Sequence, residues 1–418
     1  MHTNMLEHLR IVDFSKVLAG PLCTQYLADM GAEVIKVETI DRGDDTRGWP
    51  PFHQDTGTVF LSANRNKRSI ALDMKTCAGQ KIARQLIQQA DVVVESFAPG
   101  VTTRLGIDYE SAKKLKSNII YCSITGFGSV GPLKNAKGYD VILQAFSGMM
   151  ATTGEQAGTP ARSPFSPVDQ ATGMHAAIGI LGAVIRHGCT GKGTYVEASL
   201  FDTAVGFLGY MSQSYWERKT EPQRWGSAHE SLCPYQAFDT QDKPILLGIA
   251  NDTLWQAFCR DTGAIALAQN SSFNSNAGRV EHRAEVVAAV QAILRQRTRD
   301  DWITRFTLSG IPCASIQGVG EMLNHPHTLE SGMVQTWKGV TGPPLNVISQ
   351  PLRFDGVRNA IRAAPPAHGE HTHDILSELG YSEAEIVELT ERGSINASAG
   401  LAGSKASAST ISQTIKDH

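Results

Sequence analysis

Short apolar runs alternate with amphipathic stretches over residues 1–200. Leu9–Phe14 reads as a strand. Gly20-Pro21 opens a helix toward Met30, with proline where its missing N–H costs least. Ala32–Val37 is a second strand. Lys75–Ala90 has helical periodicity and runs into the β-branched strand Asp91–Phe97. A helix over Tyr109–Lys116 and a strand over Asn118–Thr125 follow. Strands alternating with helices predict βαβ units, hence an α/β fold with a parallel, doubly wound sheet. Ligands of such sheets bind beyond the carboxyl ends of the strands.

The pattern changes after a long helical stretch near Leu200–Trp216. Glu217–His229 is polar and reads as a linker. Pro234–Cys313 holds a strand (Ile245–Ile249) and helices (Val286–Arg297, Asp301–Leu308), enough for a second domain. Pro343-Pro344 and Pro365-Pro366 punctuate a return segment, and a helix pair follows at His373–Gly380 and Ser382–Gly393. From Asn396 the tail is rich in Ala, Ser and Gly, a composition expected to be disordered.

Composition narrows the function classes. A chain of 418 residues suggests two or three domains. The formal net charge of −3 argues against a nucleic-acid partner, which calls for a large basic excess. The longest apolar run, Ala176–Ile185, is broken by Gly179 and Gly182 and is short of the ~20 residues of a membrane span, so no membrane partner is expected. The stretch MHTNMLEHLR has no apolar segment of the secretory kind. Seven cysteines without a CxxC pair fit a reduced, cytoplasmic protein and offer no zinc site.

Gly126–Gly131 matches GxGxxG after a predicted strand, but Pro132 follows at once and LKNAKGYD opens no helix. The dinucleotide fingerprint needs that helix N-terminus for the pyrophosphate, so the motif argues against a nicotinamide enzyme. Arg65, Lys67 and Arg68 cluster in NRNKRS. With Lys75, Arg104 and Lys137 they fall after predicted strands or in loops, where they meet either a phosphate or only solvent. His371-Thr-His373 lacks an acidic partner at ligand spacing and reads as solvated or capping. In SPFSPVDQATGMHAA, Pro164 and Pro167 enforce an extended approach, and Asp169 stands where a helix begins. Asp169 either caps that helix or serves as a carboxylate held ionised by the helix's positive end, fit to attack an activated acyl group.

Eight stretches in order share one pattern: IVDFSKVLAGP (11–21), GAEVIKVE (31–38), NRNKRSIALDMK (64–75), ESFAPG with RLG (95–106), SITGFGSVGP (123–132), KGYD (137–140), PVDQATGMHAA (167–177) and GIPCASI (310–316). Together they resemble the class III CoA-transferases, the formyl-CoA:oxalate and carnitine CoA-transferase family, over residues 8–395. The resemblance implies an interlocked homodimer, each chain with a Rossmann-like large domain built from both chain ends and a smaller α+β domain. It sets the large domain at 1–216, a linker at 217–229, the small domain at 230–325, a return segment at 326–395 and a tail at 396–418.

The resemblance further implies that Asp169 is the catalytic nucleophile and that Val17, Leu72, Lys75, Ser96, Phe97, Arg104 and Lys137 contact CoA. Lys75, Arg104 and Lys137 would meet its phosphates, and Leu72 and Phe97 would flank its adenine. Trp49, Tyr139, His229 and Gly248 fall at substrate-contacting positions. Many members carry Asn where Ser96 stands, and an Arg where Thr39 stands. Oxalate-specific members have a glycine run where this chain has Leu247–Asp252 with one Gly, so the smallest acceptor is disfavoured. WGSAHESLCPYQAF (225–238) is similar to members that handle C4–C6 dicarboxylates, with His229 either holding a distal carboxylate or serving as a structural histidine at the domain junction. The expected activity is CoA transfer from an acyl-CoA, succinyl-CoA foremost, to a dicarboxylic acid through an aspartyl-CoA thioester. No permanently bound cofactor is expected. Formyl-CoA:oxalate transfer and intramolecular transfer are the alternatives. The related α-methylacyl-CoA racemases need a His-Asp pair where this chain has Tyr139-Asp140.

Overall fold

The computed structural model describes residues 4–338 and 343–397, which form two compact units. The larger takes in residues up to 147, 163–209 and those from 329 onward; the smaller takes in 148–162 and 210–328.

Six parallel strands form the sheet of the large unit: β1 (Arg10–Asp13), β2 (Glu33–Glu38), β3 (Arg68–Ala71), β4 (Val92–Glu95), β5 (Ile120–Thr125) and β6 (Thr194–Ser199). Their spatial order is β3-β2-β1-β4-β5-β6. Val12 of β1 sits opposite Ile35 of β2 on one side and Val93 of β4 on the other. All three are buried with Ile70 and Tyr121, as a sheet covered on both faces requires. Helices α1 (Ala19–Asp29) and α2 (Cys77–Gln89) begin after β1 and β3, as the periodicity predicts. The helices Thr372–Glu378 and Glu383–Glu391 add Ile375, Leu376 and Ile386 to the same core. The chain then pairs with the end of β3: Asn396 N–H donates to the Ala71 carbonyl at 3.2 Å, and Ala397 is buried. The expected disordered tail therefore cannot begin at 396; its remainder, 398–418, lies outside the described residues.

The helix carrying Asp169, Pro167–Thr190, is by length and composition long and apolar enough to cross a membrane, which the broken run Ala176–Ile185 did not reveal. One face of it packs into the core of this unit. Val168, Thr172, Gly173, Ala176, Ala177, Ile180 and Ala183 are buried. A Cβ at Gly173 would stand 2.6 Å from the Ala19 carbonyl oxygen, so glycine is what lets it close on α1.

The smaller unit is built on a three-stranded antiparallel sheet, Cys313–Ser315, Ile245–Gly248 and Tyr235–Phe238 in that order. Trp255, Phe258, Trp302 and Phe306 from its helices fill the core beneath it. Two readings of the sequence are corrected here. Residues 148–162, inside the stretch 1–216 assigned to the large domain, belong to this unit. The guanidinium of Arg224 fastens them, donating to the carbonyls of Ala151, Glu155 and Gly158 at 3.2, 3.3 and 2.7 Å. Glu217–His229 is therefore a structured part of the unit rather than a linker. The expected long helix over Leu200–Trp216 is two, Leu200–Gly206 and Gly209–Arg218, parted where Gly209 takes a left-handed φ of 43°.

Candidate active site

From β1 the chain proceeds outward to β2 and β3; from β4 it proceeds the other way to β5 and β6. The order reverses between β1 and β4, and a crevice at the carboxyl ends of the strands is expected there. A cavity of about 570 Å³ occupies that place. Its wall is Lys16–Gly20 after β1, Glu95–Gly100 and Thr102 at and after β4, and Ser123–Gly126 with Gly128 and Ser129 at the end of β5. Lys134–Tyr139, Asp169, Tyr195, Glu197 and Leu200 complete it.

Two glycines explain why KGYD lies against SITGFG. A Cβ on Gly126 would stand 2.7 Å from the Gly138 nitrogen, and one on Gly138 2.7 Å from the Gly126 Cα. Backbone rests on backbone, and the Lys134–Tyr139 segment is laid across the end of β5. This is a role for the first glycine of the GxGxxG match. No helix follows that match before Asp140, so the pyrophosphate-binding turn is indeed missing.

Pro167 occupies the first turn of the Asp169 helix after Ser166, whose φ is 51° and whose side chain makes no cap. The cap comes from elsewhere. Asp140 Oδ2 accepts the N–H groups of Val168 at 2.9 Å and Asp169 at 3.1 Å. Its other oxygen accepts Gln144 Nε2, which also donates to the Ser163 carbonyl at 3.2 Å. Both alternatives for Asp169 need correction. It does not cap the helix, and the helix end does not hold it ionised, because Asp140 already occupies the free N–H groups. Among the described residues none hydrogen-bonds the Asp169 carboxylate. Burial, and secondly the charge of Asp140, push its carboxyl up to about 7.

Val17, Ser96, Phe97, Lys137, Tyr139 and Asp169 are thus brought to one cavity. Others are not. Leu72 is fully buried in the sheet core beside Ile395, so its side chain cannot flank an adenine. Lys75 and Arg104 are exposed and outside the wall, Arg104 on the short helix Val101–Leu105 whose Thr102 is in it. Trp49 is exposed and also outside the wall. His229 and Gly248 belong to the smaller unit. There His229 Nδ1 accepts the Ser231 N–H at 3.0 Å and its ring lies edge-on to Tyr235. Gly248 ends a strand against that same tyrosine.

The charges of the NRNKRS cluster are taken up by acidic side chains. Arg65 is paired with Asp29 at 2.6 Å, Lys67 with Asp13 at 3.2 Å, and Arg68 with Glu378 at 2.7 Å. Of the two histidines, His371 Nδ1 accepts the Ser69 N–H, and His373 does find an acid, Glu383 at 2.9 Å. Among the described residues no cluster of His, Cys, Asp or Glu is arranged to hold a metal.

Sequence reasoning missed Lys16, Lys134, Glu95 and Glu197. Glu95 accepts the Phe97 N–H at 2.9 Å and the Ser123 hydroxyl, and burial raises its carboxyl. Lys16 and Glu95 were findable from the strand order, because they end or follow the two strands at the reversal.

The family model for CoA-transferase family III matches residues 6–372. The chain belongs to that family. It is 37% identical over 393 residues to a human succinyl-CoA:glutarate CoA-transferase, covering 94% of this chain and 90% of the relative. It is 34% identical to a succinate–glutarate CoA-transferase of Agrobacterium fabrum, with 92% and 97% covered. Among solved structures, a CAIB/BAIF family protein from Brucella suis matches with a TM-score of 0.81 at 34% identity, covering 89% of this chain and 98% of that one.

Proposed function

We propose that this enzyme moves CoA from succinyl-CoA to a C4–C6 dicarboxylate such as glutarate, with Asp169 as the covalent carrier. The observation that carries the proposal is the Asp169 carboxylate, without a hydrogen-bond partner among the described residues and lining a cavity at the sheet's switch point. Relatives named for succinyl-CoA and glutarate support the substrate class.

One Asp169 oxygen attacks the thioester carbonyl carbon. The C–S bond breaks and leaves a mixed anhydride and CoA thiolate. The thiolate attacks Asp169 Cγ, the anhydride C–O bond breaks, and succinate departs, leaving aspartyl-CoA. The acceptor carboxylate repeats both steps in reverse and restores the carboxylate. A carboxylate desolvated and kept basic is a better nucleophile than one stabilised by a helix end. Lys16, Lys134 and Lys137 supply positive charge where CoA phosphates or the departing thiolate would need it.

A homodimer belongs to the same proposal. Met174, Ile178 and Ile185 leave an apolar face of the Asp169 helix exposed on the single chain, at 40%, 65% and 69%, which a second copy would cover.

The test is Asp169→Ala. Transfer should fall by more than about 10⁴-fold while CoA binding changes little. Wild type given succinyl-CoA alone should show a hydroxylamine-sensitive CoA adduct on the peptide holding Asp169 by mass spectrometry. A panel of acids read out as CoA esters names the acceptor. Exchange of an α-proton with solvent and no need for an acceptor acid would favour a racemase instead.

A further inference from the structure

The wall between β1 and α1 has a conformation its own sequence disfavours. Val17 sits at φ 70°, the left-handed region that a β-branched residue rarely adopts. The turn is also tightly folded, because a Cβ on Gly20 would stand 2.2 Å from the Ser15 Cβ.

Side chains from three other elements take up its backbone groups. Lys36 of β2 donates its Nζ to the Ser15 carbonyl at 2.9 Å and pairs with Asp44 at 3.0 Å. Asp44 in turn accepts the Val17 N–H, at 3.2 Å to its nearer oxygen, and is itself fixed by Thr46 N–H and hydroxyl at 3.0 and 2.7 Å. Ser96, after β4, accepts the Lys16 N–H at 3.0 Å. Lys36 and Asp44 are both buried, so their attraction is little screened, and neither reaches the cavity wall.

We propose that the buried Lys36–Asp44 pair is a positioning device, which holds the Ser15–Val17 turn in its strained form and so fixes the Lys16–Gly20 wall ready for acyl-CoA. The inference rests on the reading of this cavity as the acyl-CoA site. Neither residue touches substrate. Without the clamp, Val17 relaxes to an ordinary conformation, and the binding-competent wall becomes a minority state. Affinity then falls by the fraction that remains competent, about 5- to 150-fold for strain of the usual size.

The experiment measures CoA affinity by calorimetry, with KM and kcat alongside, for wild type, Asp44→Asn, Val17→Gly and the double variant Val17→Gly/Asp44→Asn. Asp44→Asn should raise the CoA dissociation constant and the acyl-CoA KM together by at least about 5-fold, with kcat moved by less than about 3-fold. Because Val17 itself lines the wall, rescue is read against Val17→Gly alone: in that background Asp44→Asn should cost little further affinity, since glycine adopts the left-handed form unaided. A merely structural pair would show no such rescue. Lys36→Met/Asp44→Asn removes both charges at once and keeps the test should Asp44→Asn alone fail to fold. Unchanged affinity in a folded Asp44→Asn, or no rescue by glycine, overturns the clamp alone. Wild type that binds no CoA overturns the cavity reading, and the clamp's role with it.

Discussion

Replacing Asp140 by Asn separates two jobs that one carboxylate performs at the Asp169 helix. The amide oxygen of Asn can still accept the Val168 and Asp169 N–H groups, so the cap is kept while the Gln144 hydrogen bond to the other oxygen is lost, and the charge beside Asp169 is gone. The rise of the Asp169 carboxyl from 3.8 to about 7 corresponds to about 4 kcal/mol. Burial is its first cause and Asp140 its second, so Asp140 supplies at most half, about 2 kcal/mol. The other charged groups on the cavity wall are Lys16, Lys134, Lys137, Glu95 and Glu197, all unchanged by the substitution. The acid limb of kcat/KM for acyl-CoA reports the free enzyme's nucleophile and should move down by about one pH unit, from near 7 to near 6. The ionised fraction at pH 6 then rises from about 9% to about 50%, while at pH 8 it hardly changes. The assay is kcat/KM for succinyl-CoA from pH 5.5 to 8.5, plotted as the ratio of variant to wild type. That ratio should climb about 5-fold between pH 8 and pH 6, whatever its absolute level. A ratio flat with pH would mean that Asp140 acts only as a cap, and a ratio falling toward acid would refute the electrostatic reasoning outright.

Other consequences follow from the same wall and frame. Gly138→Ala would place a methyl group 2.7 Å from the Gly126 Cα and 2.9 Å from Leu143 Cδ2, lifting the Lys134–Tyr139 segment; acyl-CoA KM should rise about 10-fold, which steady-state kinetics would read directly. Acid should unfold the large unit through its buried pairs. Burial alone would raise Asp13, Glu38 and Asp44, but Lys67 and Lys36 beside Asp13, Arg47 beside Glu38 and Lys36 beside Asp44 outweigh it and hold all three low. Groups lowered in the folded state contribute their stability above the ordinary carboxylate values of 3.8–4.5 and lose it as pH falls below these through their lower folded-state values. Asp169 and Glu95, raised by burial, work the other way and add stability as pH falls from about 7, so melting temperature against pH should rise or hold down to about 5 and drop steeply below about 4.

Four of the six strands were legible because periodicity is a local property, an apolar run of four to six residues followed by a helix with one apolar stripe; Arg68–Ala71, hidden behind the basic NRNKRS run, and the half-exposed Thr194–Ser199 were not. What stayed hidden depends on contacts between residues far apart in the chain. Nothing local tells that Lys67 is neutralised by Asp13, or that Leu72 is sealed beneath Ile395. Spacing marks NRNKRS as basic; only the fold shows those charges paired inward, leaving Lys16, Lys134 and Lys137 on the cavity wall. Residues 148–162 are held in the smaller unit by Arg224 and by the Gly226 N–H on the Gly154 carbonyl, some seventy positions away, which no periodicity records.

The same limit explains the misreading of Asp169. An acid in the first turn of a helix ordinarily gains from the positive helix end, and from sequence that remains the sensible expectation. A helix end has few free N–H groups, however, and a second carboxylate contends for them. Asp140 opens its own short helix, Asp140–Phe146, and Gln144 one turn later holds it by the hydrogen bond to its side chain. From there Asp140 reaches the Val168 and Asp169 N–H groups. Asp140 thereby holds the N–H groups, and Asp169 is left buried without them, its carboxyl pushed up. Two carboxylates at one helix terminus are driven to opposite roles by which of them takes the N–H groups, and the one left without them is the one with reason to form a bond.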